Sequence, residues 1–166
     1  RGIQSVGVSA CPKHFAANNQ ELRRMASNSV LDERTLRELY LTGFEIAVKE
    51  GRPKCIMTSY NRVNGTYANE NHHLLQDILH GEWGYDGAVV TDWGGSNDHV
   101  EGVREGSTLE MPCPGFGSAK RLMQAVEEGR LPESAVDARV DELLELVFTT
   151  DVAVKAAPKR LDRDAH

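Results

Sequence analysis

The stretch "GAVVTDWGG" (Gly87–Gly95) sets a carboxylate directly after a run of small and β-branched residues. Ala88, Val89, Val90 and Thr91 have the pattern of a buried strand, so Asp92 falls where that strand ends. Trp93 and two glycines follow; an indole face packs against the C–H face of a sugar, and glycine lets a backbone or ligand come close. Taken alone, Asp92 reads equally well as a turn or helix-capping aspartate. Lys13 and His14 offer donors to hydroxyls or phosphate, or else form a surface pair. Arg23 and Arg24 come soon after; adjacent side chains diverge, so one can face a site while the other faces solvent. Tyr60 can give its O–H to a carboxylate or simply pack.

Other polar residues carry less. His73 and Asp77 have a metal-compatible i, i+4 spacing but no evident third ligand, so with His72 and His80 they read as a solvated helix face. Cys11 and His14 make a poor metal pair. No G-x-G-x-x-G follows a strand and no G-x-S-x-G is present, so neither a nucleotide cofactor nor a serine nucleophile is supported. The expectation is no metal and no cofactor.

These residues need elements to hold them. "SVGVSACPKHF" (Ser5–Phe15), "CIMTSYN" (Cys55–Asn61), Ala88–Thr91 and "STLEMP" (Ser107–Pro112) read as four strands. Between the first two lies a helix, "LDERTLRELYLTGFEIAVKEG", with Leu36, Leu39, Tyr40, Gly43, Phe44 and Ala47 on one face and Asp32 as a candidate cap. "NHHLLQDILHGEWG" (Asn71–Gly84) is a second helix, burying Leu74, Leu75, Ile78 and Leu79. A short third one occupies "SNDHVEGVREG". "GSAKRLMQAVEEG" and "PESAVDARVDELLELVF" close the pattern, with Pro132 at a first helical position and a stripe of Val136, Val140, Leu143, Leu144 and Val147. Alternating strand and helix implies an α/β fold of parallel βα units, whose function gathers at the C-terminal strand ends. Those ends carry Lys13-His14, Tyr60-Asn61, Asp92-Trp93 and Glu110-Met111. Four strands are half of an eight-stranded barrel, so the chain, which starts at Arg1, is expected to be a piece of a longer protein.

At 166 residues, 40% apolar and 27% charged, the composition is that of an ordinary soluble domain. A net charge of −6 with no Lys/Arg stripe argues against nucleic acid or an anionic membrane as partner. No apolar run approaches a membrane span. Cys11, Cys55 and Cys113, odd in number and widely spaced, read as free thiols, which favours a cytoplasmic location over a secreted or periplasmic one.

Taken together, "KHFAANNQE", "RRM", "DERTLRELYLTGFEIAVKEG", "MTSYNRVNG" and "GYDGAVVTDWGG" closely resemble the β-glucosidase-type members of glycoside hydrolase family three, from about Val6 to Pro112 and more weakly through the last helices. The resemblance implies a retaining glycosidase whose N-terminal domain is a TIM-like (β/α)8 barrel. This chain would be roughly its second half, residues 1–148 with 149–166 as a linker to an absent second α/β domain. The family's S/T-D-W motif maps its nucleophile onto Asp92. Its sugar-binding Lys-His pair falls on Lys13 and His14, its arginine before methionine on Arg24, and its tyrosine on Tyr60, with Met57 as a pocket wall and Trp93 beside the anomeric carbon. Retention needs two carboxyl groups about 5–5.5 Å apart; Glu21, Glu70 and Glu110 are available, but none matches the family's acid/base glutamate. The stretch after Lys13-His14 also differs from that of the N-acetylglucosaminidase branch. The implied partners are a carbohydrate and the remainder of the parent chain, with the oligomeric state open. The implied activity is β-glucosidase first, then β-xylosidase or a broader β-glycosidase. A non-catalytic sugar-binding homologue or a structural fragment stands as the different-class alternative.

Overall fold

The computed structural model describes residues 1–113 and 115–154. A 3₁₀ turn at Gln4–Val6 leads to an extended segment, residues 12–15. Then come strand β1 (Asn28–Ser29), helix α1 (residues 33–51), strand β2 (Cys55–Met57), the hairpin β3 (Arg62–Val63) and β4 (Thr66–Tyr67), and helix α2 (His73–Glu82). Strand β5 (Ala88–Val90) precedes helices α3 (His99–Glu105), α4 (Phe116–Glu127) and α5 (Glu133–Val154).

Four extended segments lie side by side in chain order. β2 and β5 pair in parallel, Cys55 with Ala88, Ile56 with Val89 and Met57 with Val90. On the outer side of β2, Phe15 N–H donates to Met57 (2.8 Å) and Ser59 N–H to Phe15 (2.9 Å), a parallel bridge between Phe15 and Thr58. On the outer side of β5, Leu109 N–H donates to Val89 and Thr91 N–H to Leu109, each at 3.1 Å. A helix separates each segment from the next, and parallel neighbours require such crossovers. The α/β alternation expected from the sequence is therefore present. The first strand is shorter than expected: Gln4–Val6 turn, and the ladder bonds on β2 start only at Pro12, whose ring leaves no N–H to extend the pairing.

Side chains alternate across these strands. Ile56 and Val89 point to the face covered by helices, where they join Phe15, Leu36, Leu41, Val48, Leu74, Leu75, Ile78 and Leu79 in one buried cluster. Phe15 meets Phe44 and Trp83 edge-on, with ring centroids 5.1 and 6.0 Å away. Cys55, Met57, Ala88 and Val90 consequently face the other way.

α1 starts where expected, because the Asp32 carboxylate accepts the Thr35 N–H at 2.7 Å. It stops at Arg52, whose left-handed backbone precedes Pro53. Its buried face is the expected one only in part: Leu36 is buried and Tyr40 and Phe44 pack on the core, but Leu39 is 74% exposed, while Leu41 and Val48 are buried. Leu36–Leu41 and Ala47–Gly51 are π-helical, and i→i+5 bonding rotates the phase of every later side chain. The Thr42 hydroxyl donates into this region, 2.9 Å from the Arg37 and Glu38 carbonyls. In α2 the expected Leu74, Leu75, Ile78 and Leu79 are all fully buried, and Asn71 caps the start through Leu74 N–H at 3.1 Å. α5 runs through residue 148 to Val154, and residues 155–166 lie outside those described. Three of the five residues of its expected stripe stay open, Val140 at 49%, Leu144 at 43% and Val147 at 48% exposure.

Candidate active site

Thr91 is the last buried residue of its strand, and its hydroxyl accepts the Met111 N–H at 2.8 Å. Gly94 N–H reaches the Met111 carbonyl at 2.7 Å, so the turn after β5 is latched to the neighbouring segment. Gly94 sits at φ +73°, a conformation that favours glycine, and this brings the chain back sharply after Trp93. Asp92 is left at the strand mouth, its side chain 16% exposed.

Three groups hold its carboxylate. His14 Nε2 stands 3.2 Å from Oδ2. Trp93 N–H donates to Oδ1 at 2.6 Å. The Tyr60 hydroxyl lies 3.1 Å from Oδ1 and 2.8 Å from the Trp93 carbonyl oxygen. Burial pushes the Tyr60 phenol above its ordinary pKa, and the bond to Asp92 with its negative charge adds to the rise; it stays a neutral donor. Asp92 does not cap a helix. That role belongs to Asp98, which accepts the Val100 and Glu101 N–H groups at 3.0 Å each and starts α3. The capping alternative for Asp92 therefore falls away.

Sequence-singled residues gather here unequally. Arg24 stacks 4.6 Å above the Tyr60 ring and pairs with Glu21 at 3.0 Å; the Glu21 bond and the Tyr60 contact raise its pKa. Arg23 has a left-handed backbone and no bond to the group around Asp92. Lys13 is exposed, and with His14, Asn18 and Tyr40 it lines a concavity of about 400 Å³ rather than pairing with Asp92. Met57 is half-buried at the end of β2, on the face away from the helices. Trp93 is 57% exposed. The peptide bonds Lys13–His14 and Phe15–Ala16 are cis.

The three spare glutamates have other work. Glu21 serves Arg24 and Asn18. Glu110 lies 2.9 Å from His99 Nδ1. Glu70 is buried, and one of its oxygens accepts the N–H groups of Asn97 (2.7 Å) and Asp98 (2.9 Å), pinning the loop that follows Asp92. Burial raises its pKa, and those two backbone donors oppose the rise. Sequence reasoning missed this anchor, and also Asn61, whose buried amide donates to the Ala16 and Ala17 carbonyls at 3.2 Å each and fixes the chain just past His14. The only signal was a polar residue directly following a strand. His72 and His73 are engaged with carboxylates, His72 with Glu105 at 2.6 Å and His73 with Glu33 and Asp77.

A parallel α/β domain with a carboxylate, an imidazole and a phenol converging at its strand ends defines a class of catalytic or ligand-binding domains. Comparison with known proteins narrows it. Residues 1–146 match the glycosyl hydrolase family 3 N-terminal domain, and the chain belongs to that family. It is 46% identical over its whole length to a thermostable β-glucosidase B of Acetivibrio thermocellus and 41% identical over 99% of its length to an exo-α-(1→6)-L-arabinopyranosidase of Bifidobacterium breve. It spans 22% of the length of each of these curated relatives. In three dimensions it superposes on a family 3 β-glucosidase of Bifidobacterium adolescentis with a TM-score of 0.92 and 41% identity, covering 99% of this chain and 24% of that one.

Proposed function

We propose that this chain is the second half of a TIM-like barrel, residues 1–148 with 149–166 leading onward, inside a longer retaining β-glycosidase, with β-glucosidase as its activity. The sequential order of four parallel segments and the 22% share of its relatives support the architecture. One observation carries the chemistry: the Asp92 carboxylate sits at the C-terminal strand ends between His14 and Tyr60.

In this reading Asp92 attacks the anomeric carbon of a terminal sugar and forms a covalent glycosyl intermediate, while an acid outside this chain protonates the leaving oxygen. Tyr60 and the Trp93 N–H orient the attacking oxygens. Lys13, His14 and Arg24 grip ring hydroxyls and so hold C1 in line, Met57 walls the pocket, and Trp93 offers an apolar platform. Charge on the oxocarbenium-like transition state is balanced by the adjacent carboxylate. Without its acid, the isolated chain is expected to be inactive. The relative named for an arabinopyranosidase favours a second reading, the same site accepting a different pyranose.

The test uses the longer protein. It should hydrolyse an aryl β-glucoside faster than the matching β-xyloside or α-L-arabinopyranoside, and Asp92→Asn should abolish turnover while sugar binding persists. A 2-deoxy-2-fluoroglycoside should label Asp92; stable labelling of another residue would sink the nucleophile assignment. Sugar binding with no turnover in the unaltered protein would instead favour a silent homologue.

A further inference from the structure

The strand register brings together two cysteines that stand far apart in sequence. Met57 N–H donates to the Pro12 carbonyl at 3.1 Å, which sets Pro12 beside Ile56 and therefore Cys11 beside Cys55, one residue earlier on each chain. Cys55 alternates with Ile56 and so lies on the face opposite α1 and α2, with Cys11 next to it. Neighbouring strands run about 4.8 Å apart, within the Cα separation of about 4.4–6.8 Å that a disulfide spans. Both thiols are free, Cys11 exposed and Cys55 buried. The neighbouring Cys55 thiol, aided by the charge of Lys13, holds the Cys11 thiol below its ordinary pKa, while Cys11 and burial push Cys55 up. An exposed thiol with a lowered pKa beside a buried one with a raised pKa is the arrangement of an attacking and a resolving cysteine.

We infer that Cys11 and Cys55 form a reversible dithiol site, closed by peroxide into an intramolecular disulfide that ties the segment carrying Lys13 and His14 to β2. The Cys11 thiolate attacks one peroxide oxygen, the O–O bond breaks, and the departing hydroxide takes up a proton as water. Cys55 then attacks the sulfenic sulfur of Cys11; the S–S bond forms, the S–O bond breaks, and a second water leaves with the Cys55 proton. The dithiol loses two electrons and the peroxide gains them. A thiol reductant reverses the closure by exchange.

The experiment uses the longer protein, a small excess of hydrogen peroxide, alkylation of remaining thiols, and peptide mapping without reduction. The expected product is a Cys11–Cys55 linked peptide pair, lighter than the two thiol peptides by two hydrogens and lost on dithiothreitol treatment. Cys113, exposed elsewhere, should be recovered alkylated. In Cys55→Ser, dimedone should trap Cys11 as the sulfenic acid; if that variant misfolds, mapping of the unaltered protein decides alone. Recovery of Cys11 and Cys55 both alkylated after peroxide overturns the site. So does Cys11 over-oxidised with Cys55 still a thiol, or a disulfide that includes Cys113. Thiol mapping reads no sugar chemistry, so its outcome is independent of the glycosidase reading.

Discussion

At the Asp92 carboxylate, the hydrogen-bond partners are specific and few. Removing the Tyr60 hydroxyl while keeping its ring under Arg24 should isolate one of them. In the longer protein, Tyr60→Phe is expected to lower kcat/KM for an aryl β-glucoside by about 10- to 100-fold, the equivalent of one hydrogen bond to a charged group. Unchanged kinetics with an unchanged circular dichroism spectrum would remove Tyr60 from the site. Asp92 was legible in the sequence because a β-branched run must end somewhere, and the residue at its end is exposed to chemistry. Arg24 was legible only through the family motif: locally it is one of two adjacent arginines, and its choice over Arg23 depends on the left-handed backbone at Arg23. The work of Glu70 was hidden, since its partners are backbone groups of Asn97 and Asp98 that no side-chain pattern announces.

Among the elements, α2 was readable and α1 only partly. Four apolar residues of α2 are buried as expected although His73–Glu82 is π-helical, because the adjacent pairs Leu74-Leu75 and Ile78-Leu79 keep an apolar side inward at either pitch. Ile78→Ala should cost about 2–5 kcal/mol through the cavity it leaves, read as a lowered urea midpoint. The face of α1 was misread at Leu39 because π-helical turns shift the phase, and hydrophobic periodicity assumes a constant one. The two helices are joined by His73, which meets Asp77 on its own helix and Glu33 on α1. The Asp77 bond, with help from Glu33, raises the His73 pKa above its ordinary 6.5. Folding therefore favours the protonated ring: the stabilisation is full below the unfolded pKa and disappears as pH rises through the higher folded one. A melting-temperature difference between the parent and His73→Gln should be larger near about pH 6 than near about pH 9. It should shrink in high salt, since the imidazole is half-exposed. A difference independent of pH would show that His73 contributes through packing and not through its charge.

Over the whole molecule, apolar surface remains where a compact domain would hide it. Val6, Val8, Val140, Leu144, Val147 and Phe148 are each between 43% and 66% exposed, and exposed apolar area promotes association. The isolated chain is expected to self-associate, with light scattering giving a mass above that of the 18.3 kDa monomer; a well-behaved monomer would count against the half-barrel reading. Strand order was the part of the architecture most open to sequence reasoning, because each βα repeat announces a parallel neighbour. How far each strand extends was not, because that depends on which backbone groups find partners. Among the described residues, the strand-ladder bonds of the first segment reach only the β2 side and those of the last only the β5 side. A complementary half-barrel would then meet this one along two seams at once. Once either seam zips, the second closes as an intramolecular event, favoured by the high effective concentration of its two edges. The halves would join cooperatively, and weakening one seam would loosen the other.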